Sequence, residues 1–449
     1  MQKKLLYKCL IIVALMLLIG LPLIMIDGTI DERMRFHQQA VESIANDSVR
    51  EQTVIGPVLV LPYTEEIKDG DKLRTVTHRK LVFPNALRIA GRINAERRYR
   101  GIHQVLMFKG GHSVAGDFSV PPAADFARES GASQLAMGKP YIALAVTDVR
   151  GIRDIPNMLV AGQSHRFEHG ARLPAYTSGM HVPLELADLK AAGGSLPFGF
   201  TLYLSGTERQ NFVPVGANNV VTIESNWPHP QFAGSFLPES RSIDDSGFKA
   251  SWRISAMASS AQQQLQAMDG AAPAQAAEAR ARLDSFGMGF IEPVNVYAQA
   301  DRATKYGLLF VALTFAAFFV FEILKALPIH PIQYLLVGLA LIMFFLLLVS
   351  LSEHLDFLVS YLIASAACIA LITFYLSAVL RSRARAAGFG AGLVLLYSAL
   401  YGLLSSENNA LVLGTLLLFT ALGAVMIATR KVDWYGIGKM DESATVPAA

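Results

Sequence analysis

Long apolar runs constrain this chain more than anything else in it. The stretch CLIIVALMLLIGLPLIMI, from Cys9 to Ile26, holds no charge and approaches the roughly 20 residues that cross a bilayer. After a long polar interval come five more, approximately Tyr306–Leu324, Ile332–Leu351, Phe357–Leu380, Phe389–Leu404 and Ala410–Ala428. Only 17% of the 449 residues are charged, against about a quarter in a soluble globular domain. The chain reads as a membrane protein with one N-terminal anchor and a C-terminal bundle of five transmembrane helices.

Lys and Arg resist translocation, so their placement orients the spans. Lys3, Lys4 and Lys8 precede the first run, and Lys325, Arg381, Arg383, Arg385, Arg430 and Lys431 fall on the same side of a six-span chain. The connections SLSEHLD and LSSENNA, on the other side, contain neither residue. Both termini are therefore expected in the cytoplasm, with residues 27–305 outside. No small-residue cleavage signature follows Ile26, so the first span (residues 1–26) reads as an uncleaved anchor. A net charge of +3 gives no concentrated basic face for nucleic acid. The two cysteines, Cys9 and Cys368, lie in apolar runs, which excludes a disulfide framework or a cysteine-rich metal site.

Ile30, Met34, His37, Val41 and Ile44 recur at steps of four and three, which predicts a short amphipathic helix within residues 27–50. His37 in that stripe is a packing residue or a pH sensor. From GPVLVLPY onward the pattern becomes β, with short alternating strands punctuated by Gly and Pro through residue 258. Aligning Ala115-Gly116 with Ala233-Gly234 also brings Phe118 onto Phe236. That weak internal likeness suggests a duplication, two tandem β-sandwich-like lobes at 51–170 and 171–258. Residues 259–305 read as an Ala/Gln-rich linker, in which VNVYAQ returns as a last strand. The bundle then occupies 306–428, and 429–449 form a polar cytoplasmic tail.

The usual signatures of hydrolases and nucleotide-binding enzymes are missing from the sequence. His165 and His169 are four apart, a zinc-binding spacing on a helix, but their flanks suggest strand or loop. Two candidate sites remain. One is Trp227, Pro228, His229 and Pro230, which form either a docking surface or a proline-protected sheet edge. The other is Glu353, His354 and Glu407 at the outer ends of the spans, where a groove between helices would open. The glycines of GFGAGLVLLYSALYG suggest close helix packing. No catalytic, cofactor or metal residues are assigned.

The segments IGPVLVLPY, WPHPQFAGSFLP, GFKASWRIS, KYGLLFVALTFAAFFVFEILK, IHPIQYLLVGLALIMFFLLLVSLSEH and DWYG resemble the CreD family of bacterial inner-membrane proteins. The resemblance covers nearly the whole chain. It implies a Gram-negative inner membrane with the β-rich domain in the periplasm. It also implies a role in cell envelope integrity, expression tied to a two-component system, and a link between excess protein and colicin tolerance. It carries no enzymatic activity and no catalytic residues. Three readings follow: a non-enzymatic envelope protein whose periplasmic domain binds an envelope partner; a bundle that handles membrane lipid or another small amphiphile; and an enzyme acting on envelope material.

Overall fold

The computed structural model describes the chain except residues 1, 70–71, 101–102, 123–124, 130–133, 174, 192–193, 270, 293–295, 326–328, 407–409 and 431–449. Two compact units form, residues 39–293 and residues 1–38 with 294–449.

Helix α1 (Gln2–Asp47) is continuous, with Pro22 inside it. The anchor and the amphipathic helix expected over 27–50 are thus one element. The joining segment DGTIDER offers one glycine and no proline, and a single helical glycine costs only about 1 kcal/mol.

The β unit opens with four strands, β1 (Gln52–Asp69), β2 (Lys72–Val82), β3 (Pro84–Arg100) and β4 (His103–Ser119). Six shorter ones follow: β5 (Gln134–Met137), β6 (Tyr141–Val146), β7 (Asn157–Val160), β8 (Gln163–Arg166), β9 (Glu168–His169) and β10 (Gly179–Pro183). After α2 (Leu186–Ala191) come β11 (Ser195–Thr207), β12 (Arg209–Phe212), β13 (Asn218–Ser225), β14 (Pro230–Gly234), β15 (Ser240–Asp244) and β16 (Gly247–Ser255). Helices α3 (Ala261–Ala267) and α4 (Pro273–Ala281) precede β17 (Phe286–Phe290).

Among the described residues these strands make two sheets. One runs β14-β17-β12-β1-β6-β10-β9, with β2 and β5 also paired to β1. The other runs β15-β16-β13-β3-β4-β11-β7-β8. Their apolar faces share one core, to which β3 contributes Leu87, Ile89 and Ile93, β4 contributes Phe108, Val114 and Phe118, and β6 is buried throughout.

The strands do not divide into lobes at residue 170. β13 pairs in parallel with β3, Asn218 opposite Ala86 through Ser225 opposite Ile93, and β12 pairs in parallel with β1. Each sheet therefore draws strands from both expected halves. The two Ala-Gly pairs also lie in different sheets, and their glycines answer different needs. A Cβ on Gly116, inside β4, would stand 2.7 Å from the Phe198 ring, whereas Gly234, ending β14, takes φ +103°.

The expected linker is mostly structured. Its FGMGF forms β17, wholly buried between β12 and β14. A Cβ on Gly287 would collide with the β12 backbone, 2.7 Å from Asn211 Cα, so this strand needs its glycine. Of the VNVYAQ segment, residues 296–299 open α5 (Val296–Lys305) instead of forming a strand, and 294–295 lie outside the described residues.

In the helical unit, α6 (Gly307–Lys325), α7 (Pro331–Ser352), α8 (Phe357–Val379), α9 (Arg383–Ser405) and α10 (Ala410–Thr429) follow. Among the described residues, they and α1 are six helices long and apolar enough to cross a membrane. His330 caps α7 by accepting from Ile332 N–H at 3.3 Å, and Pro331 occupies its first turn, where no N–H is needed. Aromatic rings interlock within the bundle core, with the Phe310 and Phe344 rings edge-on to Tyr397 at 4.6 and 4.8 Å.

Candidate functional site

Helices α6, α9 and α10 border a groove of about 730 Å³. Its walls are Leu313, Ala316, Ala317 and Phe321 from α6, Gly388, Gly392, Leu393 and Leu396 from α9, and Leu418, Leu422 and Val425 from α10. The Thr314 hydroxyl in the wall donates to its own helix, to Phe310 C=O at 2.9 Å. Arg385 is the one charged residue among the groove's described lining.

Two glycines keep the groove open. A Cβ added at Gly388 or Gly392 would meet nothing within 4 Å, while one at Gly390 would lie 2.5 Å from Thr373 Oγ1. Close helix packing, expected of this glycine run, therefore holds for Gly390. Residues 388 and 392 share the other face, one turn apart, and leave space.

Some polar groups inside the bundle are paired, whereas Thr373 Oγ1 of α8 is buried without a partner among the described residues. Glu322, near the end of α6, is buried; it bonds Lys8 of α1 and accepts from the Tyr334 hydroxyl of α7 at 2.8 Å. Lys8 also donates to Ile329 C=O at 2.9 Å. No local sequence signal marks Glu322, because its partner lies 314 residues away in the chain. Elsewhere in the bundle the Tyr397 hydroxyl donates to Cys368 Sγ at 3.1 Å, and the thiol donates to Ala340 C=O at 3.2 Å. A buried thiol held this way is a packing element.

The tryptophan motif is mostly architecture. Trp227 is buried in the β core, its indole N–H donates to Ile291 C=O at 3.0 Å, and the Arg97 guanidinium lies 5.1 Å from its ring. Pro228 is half-buried and His229 exposed. Pro230 opens β14, which ends the first sheet opposite β17, where a missing N–H costs least. The sheet-edge reading accounts for the prolines, and of the four residues only His229 is exposed, its ring edge-on to that of Trp227.

Of the expected outer-face residues, Glu353 and His354 do not line the groove. Glu353 ends α7 and pairs with Arg33 of α1, Nε to Oε1 3.2 Å, and His354 is exposed beside it. Glu407 lies outside the described residues. It follows the C-terminal end of α9, whereas Arg385 lies in the first turn of that helix. The groove is thus marked by the N-terminal half of α9.

His165 and His169 fall on separate strands, β8 and β9, so their spacing is not a helical one. A different histidine is notable. His112 of β4 is fully buried and meets Gln210 of β12, Nε2 to Nε2 2.8 Å, joining the two sheets. Burial pushes its pKa down to about 4, although the Gln210 contact opposes the shift. No motif announces it; the signal is the flanking glycines, since a Cβ on Gly110 would stand 2.8 Å from its Nε2.

The family model described as Inner membrane protein CreD matches residues 4–435. This chain belongs to the CreD family. It is 35% identical to the Inner membrane protein CreD of Escherichia coli (strain K12), over 99% of this chain and 98% of that one. CreD membership and the six apolar helices make it an inner-membrane, multi-pass protein carrying a β-rich domain. Similar solved structures are of an M1 zinc metallopeptidase from Deinococcus radiodurans. One is 9% identical over 38% of this chain and 39% of that one, at a TM-score of 0.18. Another is 10% identical over 38% of each, at 0.17. At such scores the likeness supports no argument about fold or activity.

Proposed function

We propose that this CreD-family protein is a non-enzymatic inner-membrane component that supports the cell envelope by holding a membrane amphiphile in its transmembrane bundle. The groove among α6, α9 and α10 carries the reading. At about 730 Å³ it falls within the roughly 300–1,000 Å³ of small-molecule sites, and its walls are apolar except at Arg385 and at Thr314, whose hydroxyl is bonded within its own helix. An acyl chain suits such walls, because water there finds almost no partners. The positive flanks favour cytoplasmic termini and a periplasmic β unit.

Native mass spectrometry of the full-length protein, released from membrane without delipidation, tests this. The wild type is expected to retain lipid in fixed stoichiometry, and Gly388→Leu with Gly392→Leu to lose it. A lipid-free wild type, or equal loading of both proteins, would refute the reading.

A second reading has its own observation. β15 ends the second sheet with every residue exposed, and such an edge accepts an added strand from an extended segment of an envelope protein. Proline at Ser240 and Ser242 would then weaken envelope resistance to stress while lipid retention stays unchanged. Unaltered resistance would set this reading aside.

A further inference from the structure

Resting on the reading that the groove holds an amphiphile, we infer that its occupant is an anionic phospholipid, with the phosphate of the headgroup bound by Arg385. Arg385 lines the groove yet is exposed, so its guanidinium is available at the groove's margin while the walls beyond it are apolar. Among the described residues it forms no ion pair, whereas Lys8, Arg33 and Lys305 of the same unit each have a carboxylate. An unpaired cation at one end of an apolar groove matches one anionic group at the end of an apolar chain.

The surrounding charge deepens the match. α9 has no acidic residue in its first turn, while Arg383 and Arg385 are both in it and Arg381 stands just before. Cations at a helix N-terminus oppose the macrodipole, whose positive end favours anions. Orientation in the membrane explains why basic residues occur in this connection. It does not explain why one of them lines an apolar groove. A phosphate diester offers two oxygens to the guanidinium fork, which a zwitterionic headgroup partly neutralises with its own cation.

The test uses full-length protein in nanodiscs of equimolar phosphatidylglycerol and phosphatidylcholine, with retained lipid counted by native mass spectrometry. Wild type is expected to favour phosphatidylglycerol about tenfold, equivalent to ~1.4 kcal/mol. Arg385→Gln should keep a lipid but lose most of the preference, and Arg385→Lys should keep part of it. Gly392→Leu should lose lipid of both classes. A preference undiminished in Arg385→Gln, or absent in wild type, would overturn the headgroup assignment while the groove reading stands. A wild type that retains neither lipid would overturn both. Inorganic phosphate should leave the retained lipid in place; displacement by it would reassign Arg385 to a soluble phosphate and contradict the lipid assignment.

Discussion

Lys8 and Glu322, 314 residues apart, form an ion pair that ties the first transmembrane helix to α6, and Tyr334 of α7 completes it. Lys8→Met leaves a charged carboxylate buried. A fully buried pair broken this way costs about 3–5 kcal/mol; with 26% of the Lys8 side chain exposed, about 2 kcal/mol is expected. Adding Glu322→Gln removes the orphan charge and keeps an acceptor for Tyr334, so most of the loss should return. Thermal unfolding of the full chain in detergent checks this, and a single variant as stable as wild type would contradict it.

Trp227 is expected to act through the β core. Trp227→Ala should cost about 3–5 kcal/mol, as large-to-small core substitutions do. Faster hydrogen exchange should appear in β14 and β17, which flank Ile291 and Pro230. His229→Ala, at an exposed position, should stay within about 0.5 kcal/mol. Unchanged exchange in Trp227→Ala together with a lost envelope phenotype would restore the docking role.

Acid should weaken the β unit through His112. Its folded pKa, about 4, lies below the ordinary 6.5, so the unfolded chain binds the proton more readily. The stability contributed by the neutral ring is complete above about pH 6.5, is lost as pH falls from there to about 4, and amounts to about 3 kcal/mol. Opening of β4 and β12, followed by hydrogen exchange at pH 7 and pH 5, should depend on pH more steeply in wild type than in His112→Gln. Parallel profiles would rule this out.

The glycines of α7 and α9 should respond unequally to alanine. Gly388→Ala and Gly392→Ala meet open space and are expected to be neutral or to stabilise by about 0.5–1 kcal/mol through helix propensity. Gly390→Ala faces the stiff Thr373, and Gly338→Ala faces Ile19 and Phe315, so both should destabilise. Equal effects at all four positions in thermal unfolding would mean that the groove side of α9 is packed.

Much of this architecture was legible because some signals are local. A run such as Pro331–Ser352 declares a membrane helix through its own composition, and β11 shows its alternation residue by residue. Pairing is different. Nothing within Asn218–Ser225 says that it lies beside Ala86–Ile93, which is why one two-sheet core resembled tandem lobes. The same limit hid β17 in an Ala-rich setting and the Lys8 partner of Glu322. It also concealed the groove, since the letters GFGAG do not reveal that residue 390 faces a neighbouring helix while 388 and 392 face space. Trp227 illustrates the converse, a motif conspicuous in sequence whose ring is used up by the core.

The most direct test of the central claim is photo-crosslinking with a membrane-incorporated diazirine fatty acid, followed by peptide mapping of the full-length protein. If the groove holds an amphiphile, adducts concentrate on Ala317, Gly392 and Leu422, and Gly388→Leu with Gly392→Leu abolishes them there while labelling at the exposed Leu346 and Phe374 persists. Adducts spread evenly over all exposed apolar positions, unchanged in that double variant, would show that the groove is ordinary lipid-facing surface and would contradict the account.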